Sequence, residues 1–531
     1  MTTLRPSRRG FLLVAPSLAA CRPAPTRAPT PTQAPAPTPA PTSDDGFDLA
    51  TIVAAERVAG VQYEAAEREL VRQSLAHHVE RAQTRRAFAI ELELAPASVF
   101  EPRMPGIRMG PTRARMKPAR FADAPPSDDA AIAYAPIGKL ASWLRRRAIT
   151  SEKLTAIYLE RIARLGPQLA CIARTTETLA LAQARAADRL FAKGVVKSPL
   201  QGIPWGAKDV LDTAGIATTW GAEPFRDRVP SRDATVVARL HAAGAVLVAK
   251  LTTGALAYGD IFDGGITKSP WNPIEGASGS SAGPASATAA GLVAFALGTE
   301  TLGSIVSPAM RCGTAGLRPT FGRVPRTGCM PLCWSLDKIG PLARTVEDTM
   351  LVLAAIHGAD DQDVAARTMP LAYDAHADVR GLKVGFVPAW LDDADPLDRK
   401  ALDVLRERGA TMVELALPKL PFDALLTTLF AEAAAAFEPI TLDGRDDALR
   451  WQGPDAWPNT FRTARFIGAI DLVNAERVRR LAMIAMAKWL EQCDAIVGPS
   501  FADPMLLWTN ATGHPCLVVR TGFIERAPNA G

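Results

Sequence analysis

Residues 276–309 read GASGSSAGPASATAAGLVAFALGTETLGSIVSPA, and nearly every side chain in the stretch is small. Serines stand at both ends, Ser278, Ser280 and Ser281 at one and Ser304 at the other, each set beside glycine. Between them PASATAAGL reads as a helix with Pro284 at its first position, and VAFALG as a short apolar strand. The stretch is therefore a loop, a helix and a strand. Its bare hydroxyls fall where the backbone is least obstructed, an arrangement that lets amides and hydroxyls reach a ligand.

The same alternation continues outward. GIPWGAKD (202–209) is a short apolar run ending on Lys208, and DATVVARLHAAGAVLVAKL (233–251) is a helix from Asp233, closed by Gly244, followed by a strand over Ala245–Ala249. LKVGFVPAW, a helix from Asp398 and TMVELAL repeat the pattern further on. Upstream, GKLASWLRRRAITSEKLTAIYLERIARL reads as two helices, the second capped by Thr150 or Ser151 with Glu152 in its first turn. Strands separated by helices predict an α/β fold with a mixed, largely parallel central sheet flanked by helices.

The 531 residues exceed what one ordinary core needs, and the composition divides them. Residues 1–20 contain the pair Arg8–Arg9, an apolar run from Phe11 to Ala20, and small residues before Cys21. The run is too short to cross a bilayer as a helix. It resembles a twin-arginine export signal joined to a lipoprotein cleavage box, with Cys21 as the lipidated residue and the membrane as a partner through that anchor. Residues 21–45 are a Pro/Ala/Thr tether. Residues 46–100 are helical by spacing, residues 101–130 form a basic Pro/Gly connector expected to be solvated, and residues 131–531 carry the main domain. An exported cell-envelope or periplasmic protein is expected.

The formal charge of +5 falls to +2 without Arg5, Arg8 and Arg9 of the leader. That balance gives no reason to invoke nucleic acid. Seven cysteines are present, at 21, 171, 312, 329, 333, 493 and 516. Cys329 and Cys333 with Cys312 lack a fourth nearby ligand, so buried thiols are expected rather than a metal site.

Two catalytic readings of the serines fail on context. Gly279–Gly283 fits G-x-S-x-G with Ser281 as nucleophile, but a loop containing Pro270 and Pro273 precedes it where a strand is required. The histidines downstream, His357, His376 and His514, lie in segments that do not match a triad partner. No Gly-Lys-Ser/Thr follows the glycines, which excludes a P-loop. With so few imidazoles, a serine nucleophile needs another base. Lys208, at the end of an apolar strand, suits the part if burial makes it neutral; the plain alternative pairs it with Asp209 at the surface.

GIPWGAKD, GASGSSAG and LGTETLGSIVSPA, in that order, resemble the amidase signature family. The likeness runs from about Ile137 to Gly522 and includes GLRPTFGRVPRTG and DKIGPLARTVED. It implies a catalytic lysine at Lys208, a serine in a cis peptide at Ser280 and a nucleophile at Ser304. The implied activity is hydrolysis of the C–N bond of a small-molecule carboxamide through an acyl-enzyme, with no cofactor and no metal. The tight TETLGSI segment offers the amides of Thr301, Leu302 and Gly303 as an oxyanion hole. The chain departs from the family in having Leu302 for glycine, Glu300 for aspartate and Val306 for arginine, and in lacking the family's further strand and helix after TNATGHPCLVVRTGF. Two alternatives follow: a subunit of a glutamine-dependent tRNA amidotransferase, and a catalytically degraded binding protein.

Overall fold

The computed structural model describes residues 47–87, 89–107, 115–392 and 394–524. The expected export signal, Cys21 and the tether lie outside the described residues. Among the described residues no helix is long and apolar enough to cross a membrane.

Ten strands organise the main region: β1 Ile172–Thr175, β2 Pro204–Lys208, β3 Val246–Leu251, β4 Phe295–Glu300, β5 Ala315–Arg318, β6 Lys338–Ala343, β7 Lys383–Phe386, β8 Thr411–Glu414, β9 Ala495–Ile496 and β10 Cys516–Val518. Seven form one sheet in the order β10-β5-β6-β4-β2-β3-β1. Its three central strands, β4, β2 and β3, run parallel. The outer pairs are antiparallel. The sheet is mixed, as expected, but not largely parallel: two of its six pairings are parallel and four antiparallel. At its centre β2, β3, β4 and β6 are buried at every position, which is why they read as continuous apolar runs rather than alternating ones. Trp205 and Phe295 stack across β2 and β4 with ring centroids 6.0 Å apart.

Several sequence expectations are refined. The helix of the opening stretch runs Ala282–Ala289 and begins two residues before Pro284. Proline is accommodated there because first-turn N–H groups have no intrahelical acceptor in any case. LKVGF and TMVELAL do form strands, but these join β9 in a separate parallel sheet, β8-β7-β9. Part of the basic connector is structured: Arg115–Lys117 pairs in parallel with Ala372–Asp374, and Lys117 Nζ lies 2.8 Å from the Asp374 carboxylate. The preface forms helices Leu49–Ala59 and Ala65–Arg86. Thr150 caps helix Ser151–Leu169 by accepting the Lys153 N–H.

Parallel strands place their carboxyl ends at one edge of the sheet, where open α/β sheets hold their ligands. Lys208 closes β2, and Ser304 follows β4 by four residues. The helix that returns the chain from β3 to β4 starts directly after Ser280 and Ser281. The topology thus carries all three serine and lysine positions toward one edge.

Candidate active site

Lys208 is fully buried. Its ammonium nitrogen lies 2.7 Å from Ser280 Oγ, 2.8 Å from Thr299 Oγ1 and 3.1 Å from Ser281 Oγ. All three partners are hydroxyls. Burial disfavours the charged form and brings the Lys208 pKa down to about 7, against a smaller opposing pull from Cys329, Asp337 and Glu300. The shift favours the neutral amine, the form able to take a proton. The surface pairing with Asp209 does not occur. Asp209 instead lies 3.6 Å from Lys250 Nζ, and its Oδ2 accepts the N–H and hydroxyl of Thr219.

The Gly279–Ser280 peptide is cis, as the resemblance implied. Glycine is required at 279 by close approach: a Cβ there would stand 1.7 Å from the carbonyl oxygen of Gly259. Ser281 is woven into the strand end, where its Oγ accepts the Thr299 N–H and donates to the Thr299 carbonyl, both at 3.1 Å. The Ser281 N–H donates to the backbone oxygen of Ser304 at 3.0 Å. One hydrogen bond therefore ties the peptide carrying Ser280 and Ser281 to the residue carrying the second hydroxyl. Ser304 is 8% exposed, closed in but not sealed.

Thr301, Leu302 and Gly303 form the turn that leads into Ser304. Gly303 has φ +82°, a left-handed conformation that glycine adopts without steric penalty. Thr301 donates its hydroxyl to Asp337 at 2.6 Å, and Asp337 also accepts the amides of Leu332 and Cys333. The Leu302 side chain packs against a cluster containing Cys333, Leu336, Leu429, Leu426 and Phe430. The glycine-to-leucine departure thus adds an apolar wall beside the turn.

Other residues singled out in the sequence sit elsewhere. Ser278 shares a hydrogen bond of 2.6 Å with Ser307. His514 pairs with Thr512 at 2.9 Å, and burial followed by the Arg318 charge pushes it down to about 4. Among the described residues the six cysteines are free, and no three His, Cys, Asp or Glu side chains group as a metal would require. The partners of Lys208 that the sequence reading missed are Thr299 and Ser281. Thr299 is the penultimate residue of β4, and only its position beside β2 reveals the contact.

The chain has counterparts among known proteins. A family model described as Amidase matches residues 153–520. A glutamyl-tRNA(Gln) amidotransferase subunit of Roseiflexus castenholzii is 37% identical over 435 residues, covering 72% of this chain and 89% of that protein. The protein of the same name from Methylococcus capsulatus is 34% identical over 443 residues, covering 74% and 91%. Among solved structures, the peptide amidase of Stenotrophomonas maltophilia matches with a TM-score of 0.63 and 29% identity, over 74% of this chain and 91% of that one.

Proposed function

We propose a function from one premise: the chain belongs to the amidase signature family and is accordingly a hydrolase acting on C–N bonds. In this reading it cleaves a carboxamide through an acyl-enzyme on Ser304. Neutral Lys208 accepts the Ser280 proton while Ser280 accepts that of Ser304. The Ser304 oxygen bonds to the carbonyl carbon, and the negative charge that develops on the substrate oxygen meets the amides of Thr301, Leu302 and Gly303. Collapse breaks the C–N bond, and the departing amine takes the proton returned from Lys208 through Ser280. Water then cleaves the ester on Ser304. This is triad logic with lysine as the base, recognised by roles rather than by residue order.

The observation that carries the reading is the environment of Lys208: a buried amine held by hydroxyls alone. A fluorophosphonate should label Ser304, and Ser304→Ala should abolish labelling. A folded wild-type protein that takes no label favours the degraded binding protein instead.

The substrate has two readings. One is a free-standing amidase acting on small carboxamides, supported by the likeness to the Stenotrophomonas maltophilia peptide amidase. The second, a glutaminase component of a tRNA amidotransferase working with protein partners, is supported by the names of the relatives at 34–37% identity. Purified chain assayed alone on glutamine and on alkyl, aryl and peptide carboxamides separates them. Turnover of a carboxamide other than glutamine supports the first; glutamine hydrolysis that appears only with added partner proteins supports the second. The twin-arginine and lipoprotein pattern supports export and anchoring through Cys21, so Cys21→Ser should release the protein from the membrane fraction. Wild-type protein found soluble in the cytoplasm would remove the export reading and strengthen the amidotransferase reading.

A further inference from the structure

Glu300 ends β4, four positions before Ser304, and its side chain is fully buried. One carboxylate oxygen, Oε2, accepts the backbone N–H groups of Ile305 and Val306, each at 2.8 Å. These two amides directly follow Ser304, at the start of helix Val306–Cys312, where backbone donors have no intrahelical acceptor. The other oxygen, Oε1, accepts from Arg318 Nη1 at 2.7 Å and from Asn510 Nδ2 at 2.8 Å. A carboxylate offers about four acceptor directions, and here four donors fill them. Arg318 is held in turn by the His514 carbonyl, 3.0 Å from Nη2, and Asn510 Nδ2 also donates to the Leu506 carbonyl at 2.9 Å.

The peptide that follows Ser304 is therefore held at both its carbonyl and its N–H. Its carbonyl is held by the Ser281 N–H, and its N–H and the next one are held by Glu300. Valine at 306 has no charge to offer the carboxylate, and Arg318 supplies one from β5, with Asn510 added from helix Met505–Ala511. A buried ion pair of this kind is sustained only where its remaining hydrogen-bonding capacity is met, and a carboxylate at a helix start also suits the helix dipole.

We propose that Glu300 is the positioning residue of the Ser304 turn, locked in place by Arg318 and by Asn510 from the C-terminal segment. The proposal rests on the reading of Ser304 as nucleophile. Misplacing a reacting atom by about 1 Å costs on the order of a hundredfold in rate, so loss of the clamp should show in chemistry before it shows in binding.

The test compares fluorophosphonate labelling rate at Ser304, kcat and KM for one hydrolysed carboxamide, and Tm, in three variants of the full chain. Glu300→Gln keeps the shape, Glu300→Gln/Arg318→Met also removes the unpaired guanidinium, and Asn510→Ala removes a single lock. Labelling rate and kcat are expected to fall at least about tenfold in the first two and about threefold in the third, with KM within about twofold of wild type. A folded Glu300 variant labelled at the parent rate would overturn the proposal. Should both Glu300 variants fail to fold, a folded Asn510→Ala labelled at the parent rate overturns it equally. Labelling that persists in Ser304→Ala refutes the nucleophile assignment itself, a distinguishable result that takes this proposal with it.

Discussion

Lys208 and Lys250 are both fully buried, on neighbouring parallel strands, and the sheet sends them in opposite directions. The register sets Lys250 beside Ala207, so Lys208, one residue further on, points to the other face. On its face Lys250 meets a carboxylate, Asp209, along with Thr218 Oγ1 at 2.8 Å and the Leu211 carbonyl. On the other face Lys208 meets three hydroxyls. Burial lowers both, Lys208 to about 7 and Lys250 to about 8, with Asp209 holding the latter up. Burial alone therefore does not set the two lysines apart. What distinguishes Lys208 is the company of groups that can carry a proton onward, where Lys250 has an anion that favours keeping one.

The contrast is most sharply tested by removing each amine. Lys208→Met should lower kcat/KM by about a thousandfold, within the range for loss of a general base, while urea denaturation shows stability held or raised, since an apolar side chain replaces a buried amine. Lys250→Met should do the opposite. It leaves Asp209 buried without its cation, at a cost of about 3–5 kcal/mol, with the Ser304 labelling rate of the folded fraction unchanged. Equal losses of activity in both variants would erase the distinction.

The pH dependence of stability carries the same comparison. Between about 7 and its ordinary 10.5, Lys208 is protonated in the unfolded chain and not in the folded one. The unfolded state thus binds more protons in that window, and stability rises with pH by up to about 1.4 kcal/mol per unit. Lys250 contributes with the same sign over the narrower window from about 8. Denaturation curves at pH 7 and 9 should show a shallower slope in Lys208→Met; an unchanged slope would place Lys208 in its charged form. The smallest effect is expected at Thr299→Val, which removes one of three acceptors. A drop of about threefold to tenfold in kcat is expected, the size of one ordinary intramolecular hydrogen bond. No change would show that Ser280 and Ser281 suffice.

How far the sequence carried this picture depended on distance along the chain. Lys208, Ser280 and Ser304 each lie inside a short string that reads locally, and the strands β2 and β4, which end at Lys208 and shortly before Ser304, are apolar enough to identify. The pairing of Lys208 with Asp209 stands only as the plain alternative in the sequence; that Asp209 meets Lys250 instead is hidden there, because pairing across strands depends on register, which no single strand displays. Thr299 was hidden for the same reason. The separate β8-β7-β9 sheet escaped notice because β9 is two residues long and carries no pattern of its own. Glu300 stood out only as a departure; its four donors come from residues 305, 306, 318 and 510, the last more than two hundred positions away.

The claim that most depends on these contacts is that an uncharged Lys208 activates Ser304, and labelling rate against pH addresses it directly. Lys338 needs a control, because burial and then the Arg318 charge lower it to about 7 as well, so the profile should be taken in wild type and in Lys338→Met. Both are expected to react at a level rate above about pH 8 and to slow about tenfold per unit below about pH 7, as Lys208 gains its proton. A rate that stays flat from about pH 5.5 to 9 in folded protein would contradict a lysine base.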